Sequence, residues 1–182
     1  KITDKAGNTT ACTDLSRSYT LESTAPSVST IVRASSNPSN SGTVNFTVTF
    51  SESVSGVNTA DFILTTTGVS GASVSSVIQV TASQYTVAVA TGSNSGTIRL
   101  DLTDDDSIAD SAGNKLGGTG AANGNYTSGE VYTIDKTAPT VTINQAGAQA
   151  DPTSSFPILY DVVFSEVVTG FTSADVTISG TA

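Results

Sequence analysis

With 182 residues, a net charge of −9 and only seven Lys and Arg, the chain lacks the clustered cations that phosphate backbones require, so nucleic acid is excluded as a partner. It contains no His, which removes the commonest general base and metal imidazole, and a single Cys, which rules out an internal disulfide. A hydrophobic share of 37 % lies below the usual globular value and suits thin β-layers with many turns and polar outer faces.

In chain order, Ile2 to Asn8 reads as a strand ending in a turn, with Gly7 or Asn8 able to take positive φ. Cys12, without a base partner, reads as a small buried apolar residue. Ser16 to Glu22 alternates as a final strand with Tyr19 and Leu21 on one face, and a stiff joint follows at Ser23 to Pro26.

Ser27 to Ala34 reads as the first strand of a new unit, and residues 36 to 42 as a turn. Val44, Phe46, Val48 and Phe50 alternate with Asn45, Thr47 and Thr49, the cleanest half-buried strand in the chain. Phe62 and Leu64 mark a third strand, Val74 to Val80 a fourth, and Tyr85, Val87 and Val89 a fifth. Ile98, Leu100 and Leu102 mark a sixth, and Glu130 to Ile134 a seventh. About seven short strands separated by turn residues predict an all-β sandwich. Nothing reads as a signal peptide or membrane span, so no membrane insertion is expected in this segment, and any targeting signal would lie outside it.

The chain repeats itself. Leu21-Glu22-Ser23-Thr24-Ala25-Pro26-Ser27-Val28 returns 113 positions later as Ile134-Asp135-Lys136-Thr137-Ala138-Pro139-Thr140-Val141. Phe50-Ser51-Glu52-Ser53-Val54-Ser55-Gly56 returns 114 positions later as Phe164-Ser165-Glu166-Val167-Val168-Thr169-Gly170, and Thr59-Ala60-Asp61 as Ser173-Ala174-Asp175. Asp4-Lys5-Ala6-Gly7-Asn8 matches Asp110-Ser111-Ala112-Gly113-Asn114, and seven residues are inserted between that turn and the second joint. This predicts three units: 1–23 the end of one repeat, 24–136 a complete repeat, and 137–182 the start of another. Such flanks leave strand edges uncovered, so the expected partners are neighbouring repeats in the same or adjacent chains, with a homopolymer as one form.

The joint Asp135-Lys136-Thr137-Ala138-Pro139, the Phe-Ser-Glu-x-Val-x-Gly segment and the Asp-Ser-Ala-Gly-Asn turn at 110–114 together resemble the bacterial Ig-like tandem repeats of large surface and biofilm-associated adhesin-type proteins. The resemblance implies an Ig-like Greek-key sandwich in tandem repeats, an extracellular or cell-surface location, a structural or adhesive role, and Ca²⁺ at domain joints.

One constellation invites chemistry. Asp101, Asp104, Asp105, Asp106 and Asp110 crowd into ten positions with only Arg99 beside them, and crowded carboxylates call for a cation or solvent. In a sandwich whose first strand starts at the upper joint, the loops after the second and sixth strands return to that end. Glu22, Glu52, Asp61, Asp104, Asp106 and Asp110 would thus converge there, and Asp135, Glu166 and Asp175 would repeat part of the set at the next joint. These nine are the candidate Ca²⁺ ligands, against a plain reading as solvated, solubilising loops.

No enzyme is expected: a glycosidase pair of acids would lack the aromatic surface for sugar stacking, with no Trp present. The expected function is a stalk or matrix spacer, stiffened at its joints. The alternative is a self-assembling filament whose ends are completed by strands of neighbouring subunits. A ligand-binding module would use the Gly- and Asn-rich loop at 115–129.

Overall fold

The computed structural model describes residues 2–10 and 19–179, and these are built from antiparallel strands with no α-helix. Cys12 lies outside the described residues. A short hairpin comes first, β1 (Ile2–Thr3) with β2 (Thr9–Thr10). Seven strands follow: β3 (Val28–Arg33), β4 (Thr43–Phe50), β5 (Phe62–Thr67), β6 (Ser73–Thr81), β7 (Gln84–Ala90), β8 (Gly96–Leu102) and β9 (Val131–Ile134). They form a four-stranded sheet in the order β3-β4-β7-β6 and a three-stranded sheet in the order β5-β8-β9. A second hairpin, β10 (Val141–Gln145) with β11 (Tyr160–Phe164), ends the series.

The two larger sheets share one core, giving a sandwich-like body. The period-two pattern explains it directly, since successive side chains of a strand point to opposite faces. On β4, Val44, Phe46, Val48 and Phe50 are buried, while Asn45, Thr47 and Thr49 are half-buried on the other face. On β7 the buried residues are Tyr85, Val87 and Val89, and on β8 they are Ile98, Leu100 and Leu102. Burying each of these side chains contributes about 1.5–3 kcal/mol by the hydrophobic effect. Phe46 meets Tyr132 edge-on at 5.0 Å, and Phe50 meets Tyr85 at 5.7 Å.

The two buried tyrosines also tie down neighbouring chain. The Tyr132 hydroxyl donates to the Asn45 carbonyl at 2.7 Å and accepts from the Ser35 amide at 2.6 Å. The Tyr85 hydroxyl donates to the Val54 carbonyl at 2.9 Å.

One side of the body is closed between the sheets. Ser39 forms a parallel bridge with Ile134: the Ser39 amide donates to the Thr133 carbonyl at 3.0 Å, and the Asp135 amide to the Ser39 carbonyl at 2.9 Å. The Glu130 amide donates to the Ile31 carbonyl at 3.0 Å, and Arg33 pairs with Glu130 at 3.3 Å. On the opposite side, β5 and β6 are the end strands of their sheets.

Local constructions recur along the chain. In both Asp-x-Ala-Gly-Asn turns the leading Asp accepts from the amides two and four residues on, and the closing Asn side chain donates to its second oxygen. The distances are 2.9, 2.9 and 2.9 Å for Asp4 and 2.8, 2.9 and 2.8 Å for Asp110. The 3₁₀ turns Thr59–Asp61 and Ser173–Asp175 are each held by a capping box, with Asn58 and Thr172 as caps. The Ser27–Ser51 pair of bonds, amide to hydroxyl at 2.9 Å and amide to carbonyl at 2.8 Å, reappears between Thr140 and Ser165 at 2.9 and 2.9 Å.

The expected strand over Ser16 to Glu22 falls partly outside the described residues, and Tyr19 to Glu22 is not a strand. Tyr19 is 85 % exposed and Leu21 90 % exposed. Their counterparts on β9, Tyr132 and Ile134, are held by β8, and among the described residues no such strand stands beside 19–22. Alternation alone does not make a strand without a ladder partner.

Candidate functional site

The acids of the loop between β8 and β9 stand at the same end of the body as the turn after β4. Ser55 bridges to Ala109, and the Gly117 amide donates to the Pro26 carbonyl at 2.8 Å, so the first joint, the turn and the loop meet as the strand order demands. Gly56 allows the approach: its φ is +90°, and an added Cβ would lie 2.4 Å from the Ser107 carbonyl oxygen.

Asp61 is buried at the end of its 3₁₀ turn. It accepts from the Asn58 amide at 2.6 Å and the Ser107 hydroxyl at 2.9 Å. Burial pushes its carboxyl above the usual range, and the negative Asp105 and Asp104 add to the push, outweighing those two bonds. Asp104, also buried, accepts from the Asp106 amide and the Gly124 amide, each at 3.1 Å. Its own amide donates to the Asn125 side chain at 2.7 Å, and its carbonyl accepts from Ala122 at 2.9 Å. Asp105 is exposed, and bonds from Ser107 hold its carboxyl low.

Asp106 sits at φ 66° and accepts the Gly120 amide on both oxygens, at 3.2 and 3.1 Å. The Asn114 side chain holds the Asp110 carboxyl below its ordinary value, and the same Asn114 amide group reaches the Glu22 carbonyl at 3.5 Å. These acids therefore serve as fixed acceptors for the backbone of the long loop, which also buries Ile108 and Leu116 beneath it. For Asp106 and Asp104 that role was not legible in the sequence, because the Gly120 and Gly124 donors lie 14 and 20 residues downstream.

Glu22 accepts from the Thr24 amide, and Glu52 is half-buried. Asp135 accepts from the Thr137 amide at 2.9 Å and the Ser95 hydroxyl at 3.2 Å, and the Thr137 bond chiefly holds its carboxyl low. Asp175 accepts from the Thr172 amide at 2.8 Å within its capping box, and Glu166 is exposed. The fold thus brings Asp61, Asp104 and the neighbouring Asp105 within electrostatic reach of one another, and among the described residues no three acids form a metal-holding group. A Ca²⁺ ion takes about six to eight oxygens. Both oxygens of Asp61 and of Asp104 already accept N–H or O–H, with lone pairs remaining.

Asp101, the other member of the acidic run, is buried on the outer face of the three-stranded sheet. Burial works to raise its carboxyl, but Arg99 at 2.7 Å and the Thr65 hydroxyl outweigh it and hold it low.

The chain matches no family model, no curated protein and no solved structure.

Proposed function

We propose that this chain is part of a row of Ig-like sandwiches in an extracellular bacterial surface protein, acting as a stalk or matrix spacer. The observation that carries the reading is the recurrence of whole hydrogen-bond constructions on both sides of the central body. The Asp-x-Ala-Gly-Asn turn precedes it, and the capped 3₁₀ turn and the paired Ser/Thr strand entry follow it. Residues 24–136 are then one full unit, with 1–23 and 137–182 belonging to its neighbours. The order β3-β4-β7-β6 facing β5-β8-β9 supports this reading, since it matches the strand order of a seven-stranded constant-type Ig sandwich. The bacterial surface setting rests on the resemblance of the joint and turn motifs.

A spacer works by resisting bending, and the second joint is tied to the body at several points. The Lys136 ammonium donates to the Asn40 and Ser41 carbonyls at 2.8 and 2.7 Å, and its amide donates to the Ser95 hydroxyl at 2.8 Å. Pro139 then fixes φ and restricts the residue before it. Single-molecule pulling on the whole chain tests the reading. The expected trace has one cooperative unfolding event that releases the contour of residues 24–136. Gradual extension without such an event rejects it.

Ca²⁺ enters the proposal at the Asp61, Asp104 and Asp105 end, where crowded negative charge favours a cation. Calorimetric titration should then show saturable heat, and chelator should lower the melting temperature. A flat titration with an unchanged melt removes the ion from the proposal.

One observation favours the filament as a second reading. From Val141 to Ile178 no side chain is fully buried, and Val141, Ile143 and Tyr160, which share one face of the second hairpin, are 50, 55 and 61 % exposed. A strand from a neighbouring subunit would cover that face. Fibres that grow with protein concentration and disappear in Ile143→Glu would favour this reading over the stalk.

A further inference from the structure

The charge of this chain is distributed unevenly. From Phe62 to Ile98 there is no Asp, Glu, Lys or Arg, although the whole carries −9. That stretch contains all of β5, β6 and β7. It therefore supplies both end strands on the side of the body opposite the bridge between Ser39 and Ile134.

Of these two strands, β6 is the longer, nine residues against six. It hydrogen-bonds β7 along one edge, and among the described residues no backbone hydrogen bond reaches its other edge between Ser75 and Val80. Ile78 and Val80 are 60 and 55 % exposed, and Ile78 lies opposite Thr86, away from the core. Ser75-Ser76-Val77-Ile78-Gln79-Val80 has strong β-propensity, no charge and neither Pro nor Gly. Proteins usually blunt such an edge with Lys or Pro. Here the only devices are the irregularities at Val74/Ser76 and Gln79/Thr81, which leave Ser76 to Gln79 regular between them.

We propose that this edge of β6 pairs with the same edge of a second copy of the chain, the two strands running antiparallel across a twofold axis. Charge selects the occupant. Two copies of a −9 chain repel at any surface that carries acids, and this neutral stretch lets them meet without opposing like charges. A cationic partner would instead be drawn to the acidic end. A short pairing buries little area and is weak alone. The inference concerns the central body only and does not require the row of units.

Sedimentation velocity on the full chain over a range of concentrations tests it. The expected result is a sedimentation coefficient that rises with concentration, and rises further in added salt, which screens the residual repulsion. Ile78→Glu and Ile78→Lys should both abolish the rise, since either sign places like charges face to face. Ile143→Glu on the apolar face of the second hairpin should leave it intact. Val80→Lys is the substitute if an Ile78 variant shows an altered circular dichroism spectrum. A monomer at every concentration overturns the proposal. So does association that survives the β6 variants, or association that Ile143→Glu removes.

Discussion

Asp110 and Asp4 carry the same three side-chain hydrogen bonds in the same turn, yet their surroundings differ. Asp110 is 7 % exposed and its turn touches the first joint through Asn114, whereas every residue of the Asp4 turn is exposed. Removing the carboxylate leaves amides without acceptors, a loss that water replaces only where it has access. Asp110→Ala should therefore lower the melting temperature of the central body, and Asp4→Ala should leave it unchanged. Differential scanning calorimetry on the two variants checks this. The sequence shows the two turns as equals; only the packing around them separates their weights. The acidic run has a similar lesson. Its crowding is plain in the sequence, but Asp101 is taken up by Arg99 and Thr65, and Asp106 by Gly120, pairings that depend on strand register and loop path.

At the scale of elements, the strands from β3 to β9 were legible because their apolar residues alternate and their turns carry Gly, Asn and Ser. Residues 19–22, the described part of the strand expected at 16–22, form none, because a ladder needs a partner and alternation does not supply one. The loop before β9 was legible as an insertion but not as a folded piece, since the burial of Leu116 and the bridge from Leu102 to Tyr126 are long-range outcomes. Gly56 and Gly170 separate local from tertiary demand. Both take positive φ, at 90° and 83°. Only at Gly56 would a Cβ meet another segment, at 2.4 Å from Ser107, while at Gly170 nothing lies within 4 Å. Gly170→Ala should cost that segment only the left-handed strain of about 1–2 kcal/mol. Gly56→Ala should cost the central body clearly more, because the turn after β4 and the acidic loop must separate. Urea unfolding of both variants measures the difference.

For the whole molecule, most of the perturbed acids point one way. Asp101, Asp110, Asp135 and Glu130 are held below their ordinary values in the folded chain. A group lowered on folding contributes stability that is complete above its unfolded value and is lost as pH falls through the folded one. Asp61 is raised, so its burial penalty applies at neutral pH and fades as the pH drops below its folded value. The first group is larger, and the net expectation is a melting temperature steady near neutrality that declines once pH passes below about 3.8, the ordinary Asp value. Thermal melts from neutral to strongly acidic buffer read this directly, and a melting temperature that climbs on acidification contradicts it.

The parallel contact between Ser39 and Ile134 has a mechanical consequence. The segment leaving β3 and the strand leading out to the second joint run in the same direction, so tension applied at the two ends of the body slides one along the other. The Ser39 amide, the Asp135 amide and the Thr133 amide on Asn37 then lie across the line of slip and are loaded together. An antiparallel hairpin pulled from its open end parts one rung at a time; this arrangement must shear all its rungs at once.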